Sequence, residues 1–321
     1  MNVIDDGAAA SAARRQRKVE RRPCAGYNGR SKAWNKHDPL VAPEQPSHKR
    51  HFLDGCPRGL CPVTALFDMQ LRAMRRNRAA RIGPELFLFE RVFDDCLDRI
   101  ELTGQRFQRA LLIGCPDAQW PTRLAAVAAD TDVRDPGPLF ARAADGQTIV
   151  EDSWEPRARG YDLVLAIGTL DTVNDLPLAI SLIRHATKAG GLFIGALTGA
   201  NTLPQLRAAM RAADSSAGTA SPHVHPRIEA AALPALLSSA GFANPVVDID
   251  QVKVGYRSFD RLIADLRRMG ATNILSDRSR QPLTRAGYEA AKARFHAASQ
   301  DGRTIETFEV LHFACWAPQQ S

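Results

Sequence analysis

Nowhere does the 321-residue chain hold the run of about eighteen apolar residues that a helix needs to cross a bilayer, which excludes a helical membrane span. No signal-peptide apolar stretch opens it. None of its six cysteines belongs to a CxxC pair, so neither a thiol redox motif nor a paired-ligand zinc site is in view. A reducing compartment follows as the expectation: the cytoplasm, or the mitochondrial matrix if the chain is eukaryotic. Cys96, Cys115 and Cys315 then serve as small buried apolar residues. There is no GxGxxG turn, which argues against a nicotinamide-binding oxidoreductase. No internal repeat and no nucleophile–base pair stands out. Strong charge is missing too, once it is located. Of the net charge of +7, the first 62 residues carry twelve Lys/Arg against six Asp/Glu, leaving the remainder nearly neutral. A near-neutral domain is a poor binder of phosphate backbones, so no nucleic-acid partner is expected.

Residues 1–62 show no apolar periodicity and mix Pro, Gly and charges irregularly. Such a segment buries too little surface to offset its ordering entropy, and disorder is expected. Ala8 to Arg22 has the arginine richness of an organelle-targeting peptide, countered by Asp5, Asp6 and Glu20. Cys24, His37, His48, His51, Cys56 and Cys61 fit no zinc spacing, so no metal is expected. Domain-like sequence begins abruptly near Val63, which favours a start site set too far upstream. The domain is expected over residues 63–318.

From Thr64 the pattern becomes regular. Thr64 to Arg81 reads as a basic helical segment. Glu85 to Leu102 reads as an amphipathic helix, with Leu86, Phe89, Phe93, Leu97 and Ile100 at helical spacing. Short apolar runs then alternate with helices, the mark of an α/β parallel sheet with crossover connections. Strands are predicted at 110–113, 131–133, 148–151, 163–167 and 192–196, with helices at 121–129, 139–144 and 176–186. Helices near 202–213, 228–240, 258–269 and 284–298 follow, with an extended segment at 246–254. The alternating stretch from Thr304 to Trp316 makes a closing antiparallel strand. This order resembles the mostly parallel, Rossmann-like sheet of class I S-adenosylmethionine-dependent methyltransferases.

In open α/β sheets the ligand sits at the carboxyl ends of the strands. The first predicted strand runs into Gly114, the start of a cofactor loop, but Cys115, Pro116 and Asp117 stand where glycines would let the backbone approach. Pro116 lacks an N–H, and losing one hydrogen bond to a charged group costs about 1.5–3 kcal/mol. An acid for the ribose hydroxyls is expected sixteen to twenty-one residues after Gly114, where Asp130, Asp132 and Asp135 all fall. Asp132 and Asp135 are the preferred two. Asp152, at the third strand end, is the candidate for the adenine amino group, and Gly168 closes the fourth strand beside the cofactor. Asp171 and Asn174 in the next loop, with His223 and His225 in the Pro-flanked SPHVHP stretch, are candidate substrate contacts. Asp175 before a helix reads as an N-cap.

Phe67-Asp68 with Arg76-Asn77-Arg78-Ala79-Ala80 resembles the opening signature of the complex I assembly methyltransferase-like family. The likeness continues through Val173-Asn174-Asp175-Leu176-Pro177, Gly191 to Ala196, Asn201-Thr202-Leu203, Leu206-Arg207 and Ser221-Pro222-His223. It runs on through Ala240-Gly241-Phe242 and Asp248 to Val254, then Asp265-Leu266 and Met269 to Asn273. Biotin-pathway malonyl-carrier-protein methyltransferases are similar at greater distance. The resemblance implies S-adenosylmethionine as cofactor and modification of a protein side chain or a carboxylate-bearing substrate, with a respiratory complex I subunit as partner. The other reading is an assembly factor that keeps the fold and has lost the cofactor. Two departures stand out. The family's acidic-Gly-Cys-Gly turn reads Ile113-Gly114-Cys115-Pro116 here, and its Leu-His-Trp stretch reads Leu170-Asp171-Thr172.

Overall fold

The computed structural model describes residues 65–319. The expectations for residues 1–62, including the targeting and zinc readings, lie outside the described residues. The chain runs α1 (Met69–Ile82), α2 (Phe87–Leu102), β1 (Phe107–Ile113), α3 (Trp120–Leu124), β2 (Ala128–Asp135), α4 (Pro138–Ala143), β3 (Gln147–Thr148) and β4 (Tyr161–Ile167). Then follow α5 (Leu176–Ala186), β5 (Thr187–Thr198), α6 (Pro204–Ala217), α7 (Leu233–Ser239), β6 (Ala243–Tyr256), α8 (Phe259–Arg268) and α9 (Arg285–Ala297), with β7 (Ser299–Gln300) and β8 (Arg303–Trp316) last. The strands form one sheet in the order β3-β2-β1-β4-β5-β8-β6, with β7 pairing on β8. Strands β1 to β5 are parallel, and β8 enters antiparallel between β5 and β6.

Alternation along β1 explains how this sheet is held. Ala110 and Leu112 turn to one face, where they meet α2 through Phe93, Cys96 and Ile100. Leu111 and Ile113 turn to the other, against Ile180 and Ile183 of α5 and Leu233 and Leu237 of α7. Both faces are covered, which is why the central strands read as continuous apolar runs. A third apolar cluster joins α6, α8 and α9 to Tyr256 and Phe308 at the far end of the β6–β8 pair.

Two sequence expectations shift. The helix predicted over 121–129 stops at Leu124, and Ala128 already pairs with Phe107. The Ala125-Ala126-Val127-Ala128 run suits either state, and the neighbouring strand decides it. The strand predicted over 148–151 shrinks to Gln147–Thr148. Ile149 turns into the core, and Glu151 is drawn off the sheet by an arginine described below.

Candidate functional site

Strands β2, β3 and β4 end on the edge of the sheet where a ligand would lie, and two arginines of α1 reach the residues at or just beyond those ends. Its N-terminus is fixed by Asp68, whose side chain accepts from the Leu71 N–H. Asn174 clips the residue before, accepting from the Phe67 N–H at 2.8 Å and donating to its carbonyl at 3.1 Å. An isolated bridge ties Phe67 to Leu275. With the helix so placed, Arg72, Arg76 and Ala79 share one buried face.

Those two arginines meet the strand-end acids. Arg76 forms a two-pronged pair with Asp135, Nε to Oδ1 at 2.8 Å and Nη2 to Oδ2 at 2.5 Å. Asp135, fully buried, also accepts from the backbone of Cys115 and of Gly137. Arg72 grips Glu151 in the same way, at 2.6 and 2.8 Å, and donates a third bond to the Thr169 carbonyl. Burial works against the charge on Arg72, but the Glu151 carboxylate outweighs it and holds the guanidinium above its ordinary range. Phe140 packs beneath Arg76, 5.2 Å from ring centroid to guanidinium carbon.

The predicted site residues fall into three groups. Asp135 stands at the end of β2, where a ribose acid belongs. Asp132 lies three residues earlier, opposite Leu111, and its carboxylate accepts from Arg109 and from the Tyr161 hydroxyl at 2.7 Å, away from the strand ends. Asp152 accepts from the backbone N–H groups of Asn174 and Asp175, bracing the loop before α5, and the fully buried acid at this strand end is its neighbour Glu151. Gly114 and Gly168 adopt φ of +85° and +60°. A Cβ at Gly114 would stand 2.3 Å from the Ile167 carbonyl, and one at Gly168 would stand 2.6 Å from the Phe89 ring. Close packing of the chain alone therefore demands both glycines.

Of the substrate candidates, Asp171 is engaged by Thr198 and Arg227. Asn174 is spent on Phe67. His223 contacts Asp214 at 2.9 Å. His225 is buried, edge-on to Phe67, and its Nε2 accepts from the Ile274 N–H at 3.0 Å. Burial and the nearby Arg227, only partly offset by Asp171, push this imidazole down to about 4. Asp171, His223 and His225 do come together around two adjoining cavities, of about 80 Å³ and about 370 Å³. Neither is lined by Gly114, Asp135, Glu151 or Asp152. Sequence reasoning missed Arg72, Arg76 and Arg227, and at the third strand end it preferred Asp152 to its neighbour Glu151. The available signal was the i, i+4 spacing of Arg72 and Arg76, matched to acids ending two successive strands.

S-adenosylmethionine would need free hydrogen-bonding groups at three strand ends, and here they are spent. Cys115 donates to Asp135, Pro116 has no N–H, and both acids hold arginines. Trp120 is fully buried and stacked on Phe93 at 4.3 Å. Breaking a buried ion pair by removing one partner costs about 3–5 kcal/mol, so freeing both acids would weaken binding by roughly 10⁴-fold or more. In this arrangement the residues do not fit the cofactor. Among the described residues no cluster of metal-ligating side chains occurs, and no helix is long and apolar enough to cross a membrane. The thiols of Cys96, Cys115 and Cys315 are pushed up to about 12, in each case chiefly by burial.

No family model matches the sequence. Mouse mitochondrial arginine-hydroxylase NDUFAF5 is 30% identical over 265 residues, which cover 78% of this chain and 77% of that protein. A malonyl-[acyl-carrier protein] O-methyltransferase of Xylella fastidiosa is 34% identical over 159 residues, about half of each chain. Among solved structures, the YcgJ protein of Bacillus subtilis matches 70% of this chain and 97% of its own, with a TM-score of 0.48 at 13% identity. On its likeness to NDUFAF5 over more than three quarters of both sequences, this methyltransferase-fold chain belongs to the arginine-hydroxylase NDUFAF5 family.

Proposed function

We propose that the chain serves in respiratory complex I assembly by binding a partner or ligand at the strand-end face, with its adenosyl crevice closed by Arg72 and Arg76. One observation carries this reading: both acids on which an adenosyl group would rest are fully buried in two-pronged pairs with arginines of α1. Membership of the NDUFAF5 family supplies the assembly context. Arginine hydroxylation, the activity in the relatives' name, would bring a cationic side chain to this face. Asp135 and Glu151 hold arginines of α1, Asp171 beside the smaller cavity is paired with Arg227, and the larger cavity is lined by Arg227 and Arg267. Like charge in a partly desolvated pocket disfavours such a substrate.

A second reading is S-adenosylmethionine-dependent modification of a protein side chain or a carboxylate, as in the malonyl-carrier-protein methyltransferase relatives. It is favoured by the survival of acids at the second and third strand ends, and it requires α1 to leave the face as a lid. Calorimetric titration of the full chain with S-adenosylmethionine separates the two. No heat at millimolar ligand is the expected result. Saturable binding in the micromolar range would overturn the closed-crevice reading in favour of the lid.

A further inference from the structure

The larger cavity, about 370 Å³, falls within the range of small-molecule sites and shares no residue with the adenosyl crevice. Its walls are apolar: Leu206, Met210, Val224, Phe259, Ile263 and Leu266. Arg267, Thr272 and Asn273 also line it. Arg78 of α1 stands behind the wall and donates through Nη2 to the lining Thr272 Oγ1 at 3.0 Å.

A cluster of arginines gathers around Arg267 at the edge of this cavity. Burial, then the charges of Arg278 and Arg267, hold Arg75 below its ordinary range. Burial, then Arg75 and Arg267, do the same to Arg78. The Nε atoms of Arg75 and Arg78 are buried and make no hydrogen bond among the described residues. Asp68, 3.5 Å from Arg278, is the one carboxylate within ion-pair reach of these four guanidinium groups among the described residues. Like charges gathered beside an apolar hollow destabilise the chain unless something anionic joins them.

We propose that this cavity binds an amphiphilic anion, its apolar tail lying among Leu206, Met210, Phe259 and Ile263 and its phosphate or carboxylate head meeting Arg75, Arg78 and Arg267. Guanidinium forks suit both head groups, through two parallel charge-assisted hydrogen bonds. The polar residues beside the hollow, Thr272 and Asn273, offer further hydrogen bonds. The proposal rests on the closed-crevice reading, because Arg75 and Arg78 belong to α1 and stay beside the cavity only while that helix stays in place.

The test is titration of the full chain with decyl phosphate, decanoate, decanol and inorganic phosphate. One or both anionic amphiphiles should saturate a single site, and which of them binds tighter identifies the head group. Decanol and inorganic phosphate should each bind at least roughly tenfold more weakly. Arg75→Ser with Arg267→Ser should weaken the anionic amphiphiles roughly tenfold or more and leave decanol unchanged. Ile263→Trp, which fills the hollow, should abolish binding of the amphiphiles, and matched melting curves would show that each variant folds. The proposal is overturned if decanol binds as well as the anions, or if inorganic phosphate alone matches decyl phosphate. It also fails if the double arginine variant binds like the native chain, or if acidic polypeptide such as polyglutamate binds while no amphiphile does.

Discussion

His225 shows how a residue that looks chemical in the sequence becomes structural in the fold. Its Nε2 accepts a backbone hydrogen bond from Ile274, which only the neutral ring can do. Protonation would break that bond and add a charge beside Arg227 and Arg207, so the folded pKa of about 4 lies below the ordinary 6.5. The unfolded chain therefore binds the proton first. The stabilising contribution is complete above about pH 6.5 and is lost as pH falls through 6.5 towards 4. Its ceiling is on the order of 3 kcal/mol. Denaturant unfolding followed between pH 7 and pH 4.5 should show His225→Gln losing less stability with acid than the native chain. Parallel curves would refute this account. Gln is the fitting substitution because its side-chain oxygen accepts at the place of Nε2 and does not titrate in this range.

Helix α1 decides the character of the site. In the sequence it is a run of arginines, and such a run ordinarily lies on a solvated face. In the fold Arg72 and Arg76 are buried, each on a carboxylate at the end of a strand. A double-mutant cycle should expose the pairing. Arg76→Met alone leaves Asp135 buried and short of a partner, at a cost of about 3–5 kcal/mol. Arg76→Met with Asp135→Asn should cost less than the sum of the two single changes, with a coupling of about 1–3 kcal/mol read from chemical denaturation. Additive effects would mean that the two side chains do not interact in solution.

For the whole molecule, the closing strand settles the topology. Strand β8 bonds along nearly its whole length to β6 and also to β5, and it carries Phe308, Leu311, Phe313 and Cys315 into the core. Removing residues 303–321 leaves β6 without a partner and strips both layers of apolar contacts. Such a truncation should show no cooperative thermal transition by circular dichroism. A sharp transition near the native melting temperature would contradict this. The sheet was legible in the sequence because strands buried on both faces are written as apolar runs, and β8 as an alternation; neither signal needs a partner to be seen. Gly114 and Asp135 were legible as positions at strand ends, while the choice of Glu151 over its neighbour Asp152 was not. The sequence by itself determined the α/β class, the order of strands and helices and the addresses at which a ligand site would be built. Only the tertiary structure decided what occupies those addresses, because a carboxylate's partner is chosen by which residue the fold brings within 3 Å. Here that residue comes from a helix some sixty to eighty positions away along the chain.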